Sequence, residues 1–313
     1  MKIEYTLLEA FQAFILDKRA AGLAEKTLES YIFHFQSVTK YLDPDTPLPE
    51  ITDARIKEVV SRLGQADLSK NTVRSYTATL KTFFSWCRSE GLSEVNVKLY
   101  KGEESVPETY TKEELHKLLR KPNLQKCEFG EYRNWVIINL LVNNGIRAAT
   151  VRSIQNRDVM LEASVIMCRH TKRRIAQAIP LSPSLIRILS QYMHIRKGKP
   201  EDYLFPNLTG EQLTESALRH TIMRYNKARG VQKTSIHMFR HTFARMYLVE
   251  CGGDALKLQK LLGHTTLQMT QHYVRLFDTD LVKDFQDHSP LEALMPERIV
   301  LRKKNFKKSK KDG

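Results

Sequence analysis

Five sites beyond residue 110 carry residues able to do chemistry: Arg147, Lys172, the stretch HMFR with His237 and Arg240, His264, and Tyr273. His237 and Arg240 lie three apart at the start of a helical pattern, so both side chains leave the same side of the helix and can grip one small anion. Two guanidiniums, Arg147 and Arg240, offer forked donors to the nonbridging oxygens of a phosphodiester, where negative charge grows in the transition state. A tyrosine hydroxyl can attack the phosphorus and keep the bond energy in a covalent link, which requires no ATP. A lysine whose pKa is lowered by cationic neighbours can protonate the leaving oxygen, and histidines can hold the phosphate or shuttle the attacking proton. Each residue also has a plain structural reading: Tyr273 is one of twelve tyrosines, His264 ends a helix, and Lys172 competes with its neighbours Arg173 and Arg174.

Other chemistries find no foothold. His237 and His241 have the i, i+4 spacing of metal ligands, but HMFRH lacks the Glu of HExxH and sets an Arg cation inside the candidate site. There is no Gly-rich loop before Lys-Ser/Thr, no GxSxG elbow, and no carboxylate cluster to hold two Mg²⁺ ions. Neither a cofactor nor a metal is expected. His241 and His272 are expected to pack or bridge helices, and His170 to end a strand.

The elements that must position these groups divide near residue 105. Residues 1–102 read as helices only. Leu28, Tyr31, Ile32, Phe35, Val38, Tyr41 and Leu42 form one apolar stripe stopped by Pro44; Val73, Tyr76, Leu80, Phe83, Phe84 and Cys87 form another, capped by Ser69 and ended by Gly91. Shorter helices are expected over 7–15 and 56–63. The polar faces carry Lys26, Lys70, Arg74 and Lys81, long enough to reach a phosphate backbone.

The segment KGEESVPET (101–109) loses periodicity and contains a Pro, giving a linker over 103–110. A second domain, 111–290, opens on a capping box, Thr111 with Glu114. In it Gly145 permits a tight turn from which Arg147 emerges. Two short strands, 164–170 and 175–179, flank the basic turn TKRR, with Pro180 closing the second. The rest is helical in pattern apart from YLF at 203–205. The predicted fold is mainly α: a helical N-terminal bundle and an α-rich second domain with a small antiparallel sheet.

Composition names the class of partner. Lys and Arg number 50 against 35 Asp and Glu, a net charge of +15, which points to a polyanion, most simply nucleic acid. Residues 302–311 (RKKNFKKSKK), within a basic tail over 291–313, hold seven of those cations, yet the remainder is still basic. Four cysteines without CxxC spacing suggest neither zinc nor disulfides and fit a reducing, cytoplasmic setting. The longest strongly apolar run, WVIINLLV, falls far short of a membrane span, so no membrane partner is expected.

In this order, Arg147 within NNGIRAATV, Lys172 in TKRRIAQAIP, His237-Met-Phe-Arg240-His241-Thr242, Leu262-Gly263-His264 and Tyr273 nine residues later, the chain resembles the tyrosine recombinase (phage integrase) family. GLAEKTLESYIFHF and LSKNTVRSYTATLKTFF are similar to that family's helical core-binding, SAM-like domain. The resemblance implies that Tyr273 is the nucleophile forming a 3′-phosphotyrosine, that Arg147 and Arg240 clamp the phosphate, that Lys172 is the general acid, and that His237 and His264 assist.

It further implies a site-specific recombinase working as a homo-tetramer on double-stranded DNA recombination sites, and it admits accessory DNA-bending proteins. The apolar pattern Leu276, Phe277, Leu281, Val282, Phe285 either completes its own core or docks on a neighbouring protomer. With helices starting by about residue 5, the chain looks like the type without an extra arm-binding domain. Integration or excision for a mobile element and resolution of a replicon share this layout. Two alternatives stay open: type IB topoisomerase-like relaxation, and a catalytically silent DNA-binding protein of the same fold.

Overall fold

The computed structural model describes residues 5–103, 106–168, 177–264 and 266–277. Lys172, Arg173 and Arg174, the apolar pattern beyond residue 277 and the basic tail lie outside them. The chain forms two compact units, residues 1–105 and 106–313.

The first unit is a four-helix bundle: α1 (Leu7–Ala20), α2 (Glu25–Val38), α3 (Asp53–Gln65) and α4 (Lys70–Ser89). Local chemistry starts these helices. Thr6 and Glu9 close a capping box on α1, Thr52 caps α3, and Ser69 accepts from the Thr72 amide on α4. Apolar residues at steps of three and four then turn inward. Phe11 stacks on Phe35 at 3.8 Å between centroids, while Phe83 meets Phe11 and Phe14 edge-on at 5.5 and 5.6 Å. Each such ring contributes about 1.5–3 kcal/mol through burial. The α2 stripe outlasts its helix: α2 ends at Val38, yet Leu42 in the turn beyond it is still buried. Lys26, Lys70, Arg74 and Lys81 are exposed, and Lys70 pairs with Glu103.

The second unit is built around α6 (Phe129–Asn144), which is buried on nearly every side, from Tyr132 to Leu141. Around it lie α5 (Lys112–Leu119), begun by the Thr111/Glu114 capping box, α7 (Ala148–Ser153), α8 (Pro183–Arg196) and α9 (Glu215–Ala228). A three-stranded antiparallel sheet runs β1 (Val159–Met160), β2 (Val165–Cys168), β3 (Gln177–Pro180). β1 has no sequence signal and was not expected; two residues are too few to show alternation. The β2–β3 ladder sets Ile166 against Ile179 and Cys168 against Gln177, so Lys172 lies in sequence between the paired ends.

Three further helices, α10 (Ile236–Arg245), α11 (Ala255–Leu262) and α12 (Leu267–Phe277), pack on one another, and a π-helical turn at Met246–Glu250 extends α10 toward α11. Among the described residues no helix is long and apolar enough to cross a membrane.

Candidate active site

α10 is the platform of the site, and its position is fixed from both sides. Tyr110 donates its backbone N–H to Thr242 Oγ1 (2.9 Å), stacks its ring on Phe239 at 4.3 Å, and sends its hydroxyl to the carbonyls of Lys233 and Ser235. On the other side α10 lies against the end of α6. There Gly145 takes φ +57°, and a Cβ at that position would stand 2.6 Å from the Phe243 ring. Only glycine suits both the left-handed backbone and the close approach.

That approach sets Arg240. Its side chain is 6% exposed, donating from one Nη to Gly145 O (3.0 Å) and from the other to Leu262 O (2.8 Å). Arg147, at the N-cap of α7 just past the Gly145 turn, points the same way, its Nη atoms 3.4–3.5 Å from the carbonyls of Leu262 and Gly263. Both guanidiniums therefore lean on the C-terminus of α11, the negative end of its dipole. Among the described residues no carboxylate pairs with either. Two adjacent cations resting on backbone carbonyls form a strong anion site. Burial, then the charge of Arg147, pushes the Arg240 pKa down to about 10, which leaves it cationic at neutral pH.

α11 ends in a Schellman motif: Gly263 takes φ +62°, its N–H reaches Lys260 O, and the His264 N–H reaches Gln259 O at 3.0 Å. This turn aims the His264 imidazole at α12, where its Nδ1 meets Thr270 Oγ1 at 2.8 Å. The ring also lies parallel to that of Tyr273, 6.0 Å away. Burial, with the charges of Arg240 and Arg147, lowers the His264 pKa to about 4, so the imidazole is neutral at physiological pH.

Tyr273, on α12, is 5% exposed and packs with Ala244, Leu258 and Leu262. Its hydroxyl meets His241 Nδ1 at 3.0 Å. Burial raises its pKa, against the opposing charge and hydrogen bond of Arg240 and the charge of Arg147. The phenol thus keeps its proton at neutral pH, although the cations beside it would favour a developing phenolate.

Four of the six expected residues therefore converge: Arg147, Arg240, His264 and Tyr273. His237 shares α10 with Arg240, one turn earlier, and is exposed. Lys172 is outside the described residues, as are Arg173 and Arg174. Thr270 escaped sequence reasoning, whereas His241, expected to pack or bridge helices, does bridge α10 to α12 through the Tyr273 hydroxyl. No periodicity in the chain says that α10 and α12 meet at this pair. Among the described residues no group of three or more His, Cys, Asp or Glu side chains is gathered that could hold a metal ion.

Residues 108–280 match the family model described as Phage integrase family, and residues 8–91 match the Phage integrase, N-terminal SAM-like domain. The chain is 28% identical over 293 residues to tyrosine recombinase XerC of Thermodesulfovibrio yellowstonii, covering 88% of this chain and 93% of that protein. It is also 28% identical over 303 residues to tyrosine recombinase XerD of Pseudomonas aeruginosa, covering 92% and 98%. In fold it is similar to a lambda integrase tetramer bound to a Holliday junction, with a TM-score of 0.68, 21% identity, and 87% of this chain and 78% of that one covered.

Proposed function

The chain belongs to the phage integrase family of tyrosine recombinases, and on that premise we propose that it cuts and rejoins double-stranded DNA at specific sites through a 3′-phosphotyrosine on Tyr273. The observation that supports this most is the meeting of buried Tyr273 and Arg240 with half-buried Arg147 and His264 in one cluster. A phosphodiester drawn to the two guanidiniums has its nonbridging oxygens held by forked donors, which stabilise the charge gained in the transition state. The Tyr273 oxygen attacks the phosphorus, Lys172 gives its proton to the leaving 5′-oxygen, and His237 and His264 bind the phosphate and assist proton transfer. A free 5′-hydroxyl of a partner duplex then attacks the phosphotyrosine. The link conserves the phosphodiester energy, so strand exchange needs no nucleotide.

In this reading residues 1–102 are a DNA clamp, with Lys26, Lys70, Arg74 and Lys81 on phosphates. A linker over 103–110 leads to the catalytic domain, 111–290, where Arg173 and Arg174 add further contacts, and the chain closes on a basic tail over 291–313. The protein acts as a homo-tetramer on paired sites in the cytoplasm, for integration and excision or resolution of a mobile element or replicon, with room for accessory DNA-bending proteins.

Capturing the DNA held covalently by the protein in expressing cells tests this. The expected result is DNA of a defined sequence, recovered with the native chain and absent with Tyr273→Phe. Recovery without sequence preference, with relaxation of supercoils and no exchange between sites, moves the reading to a type IB topoisomerase. No covalent DNA moves it to a silent DNA-binding protein.

A further inference from the structure

We propose that His241 is a catalytic residue of strand cleavage: it holds the Tyr273 hydroxyl and takes its proton as the phenol attacks, a role that rests on the function proposed above. His241 Nδ1 stands 3.0 Å from Tyr273 Oη, with the two rings 5.6 Å apart, and hydrogen-bond reach to the proton is the first requirement of a general base.

The protons around this oxygen decide the direction of the bond. A phenol has one proton to give and lone pairs to accept with, whereas a guanidinium can only donate. The charge of Arg240 favours a developing phenolate at the Tyr273 oxygen, but a guanidinium cannot take the phenol proton, which is left to an acceptor. His241 Nδ1 is that acceptor when the neutral imidazole carries its own proton on Nε2. The neighbouring imidazole is differently engaged: His264 lies parallel to the Tyr273 ring with its Nδ1 on Thr270 Oγ1. His237 sits on the exposed first turn of α10, three residues ahead of Arg240.

Position along the helix explains how one short stretch serves both charges. Arg240 and His241 are successive residues of α10, about 100° apart around its axis, so one reaches the carbonyls of Gly145 and Leu262 while the other faces α12. The phenol is then held between a cation that stabilises its conjugate base and a base that removes its proton. As the Oη–phosphorus bond forms, the phenol proton passes to His241 Nδ1 and yields an imidazolium. The phosphorus–O5′ bond breaks, and the leaving oxygen takes its proton from Lys172 in its proposed role. When a 5′-hydroxyl later attacks the phosphotyrosine, the neutral Lys172 amine takes the hydroxyl proton, the Oη–phosphorus bond breaks, and the imidazolium returns its proton to the departing phenolate.

Two measurements on the full-length chain test this. In protein labelled with ¹³Cζ-tyrosine, the Tyr273 signal is identified by its loss in Tyr273→Phe. His241→Ala should shift that signal, and His241→Asn, whose amide sits near the place of Nδ1, should restore most of it. In single-turnover cleavage of a nicked duplex of the sequence captured from cells, His241→Ala and His241→Asn should both slow covalent adduct formation by about 10²-fold, because an amide can hold the hydroxyl but cannot take its proton. A His241→Ala rate within about twofold of the native chain overturns the proposal. Full recovery in His241→Asn overturns proton transfer and reduces His241 to a positioning residue. No adduct from the native chain removes the recombinase reading itself, and this role with it, which separates the two failures.

Discussion

Arg240 is buried as a cation beside a second cation, an arrangement that folding alone disfavours. Desolvation of an ion costs several kcal/mol, and its two hydrogen bonds to carbonyls return about 1.5–3 kcal/mol each. Repulsion from Arg147 reduces that return further. Arg240→Met should therefore leave the thermal midpoint unchanged or raise it, while cleavage falls by about 10²-fold or more, the loss typical of removing one transition-state donor. Calorimetry beside adduct formation checks the pair; a large loss of stability would assign Arg240 to the core instead. His264 makes the opposite kind of contribution. Its pKa falls from 6.5 to about 4 on folding, so the unfolded chain binds the extra proton between those values. The neutral, half-buried imidazole stabilises the fold fully above pH 6.5, and that contribution is lost as pH falls towards 4. After allowance for partial exposure this is on the order of 2 kcal/mol. Urea denaturation of the native chain and His264→Gln across that window should show the native chain losing more stability on acidification; parallel curves would contradict it.

At the scale of elements, the site depends on the close crossing of α10 over the end of α6. Gly145→Ala puts a methyl 2.6 Å from the Phe243 ring at a backbone angle of φ +57°, and so should cost about 2 kcal/mol or more and displace Arg240 from its Gly145 carbonyl. A thermal midpoint unchanged in Gly145→Ala would show that the contact is loose. Gly145 was legible as a turn because a positive φ leaves a mark in residue type. The caps at Ser69 and Thr111 were legible for the same reason, since a cap is a contact between residues three apart. Apolar stripes were legible as burial more than as helix, which is why the α2 stripe runs on to Leu42 after the helix has stopped. The partners within the site were not. That Arg147 and Arg240 rest on the carbonyls ending α11, and that His241 meets Tyr273 across 32 residues of sequence, are consequences of how three helices pack, which no local pattern encodes.

For the whole molecule, a net charge of +15 must express itself as salt dependence. DNA affinity should fall linearly on a log–log plot with a slope of roughly −0.9 per phosphate neutralised. Arg74→Ala and Lys81→Ala, both at exposed positions of α4, should each reduce that slope by roughly 1 while changing stability by no more than about 0.5 kcal/mol. A slope unaltered by either would take α4 off the DNA. The family and the mainly helical fold were readable from the chain because the residues proposed to react with DNA come in a fixed order with recognisable neighbours; the proposed assembly and its biological use would be properties of several chains and a DNA sequence, and no single chain contains them. In the proposed mechanism the Tyr273 oxygen becomes joined to a DNA phosphorus. Trypsin cuts after Lys260 and Arg275, releasing residues 261–275 with Tyr273 as their one tyrosine. After covalent capture and nuclease digestion, mass spectrometry should find this peptide carrying a nucleotide through its 3′-phosphate on Tyr273, with a free 5′-hydroxyl on the other cleaved end. A nucleotide on any other residue, or a link through a 5′-phosphate, would contradict the account.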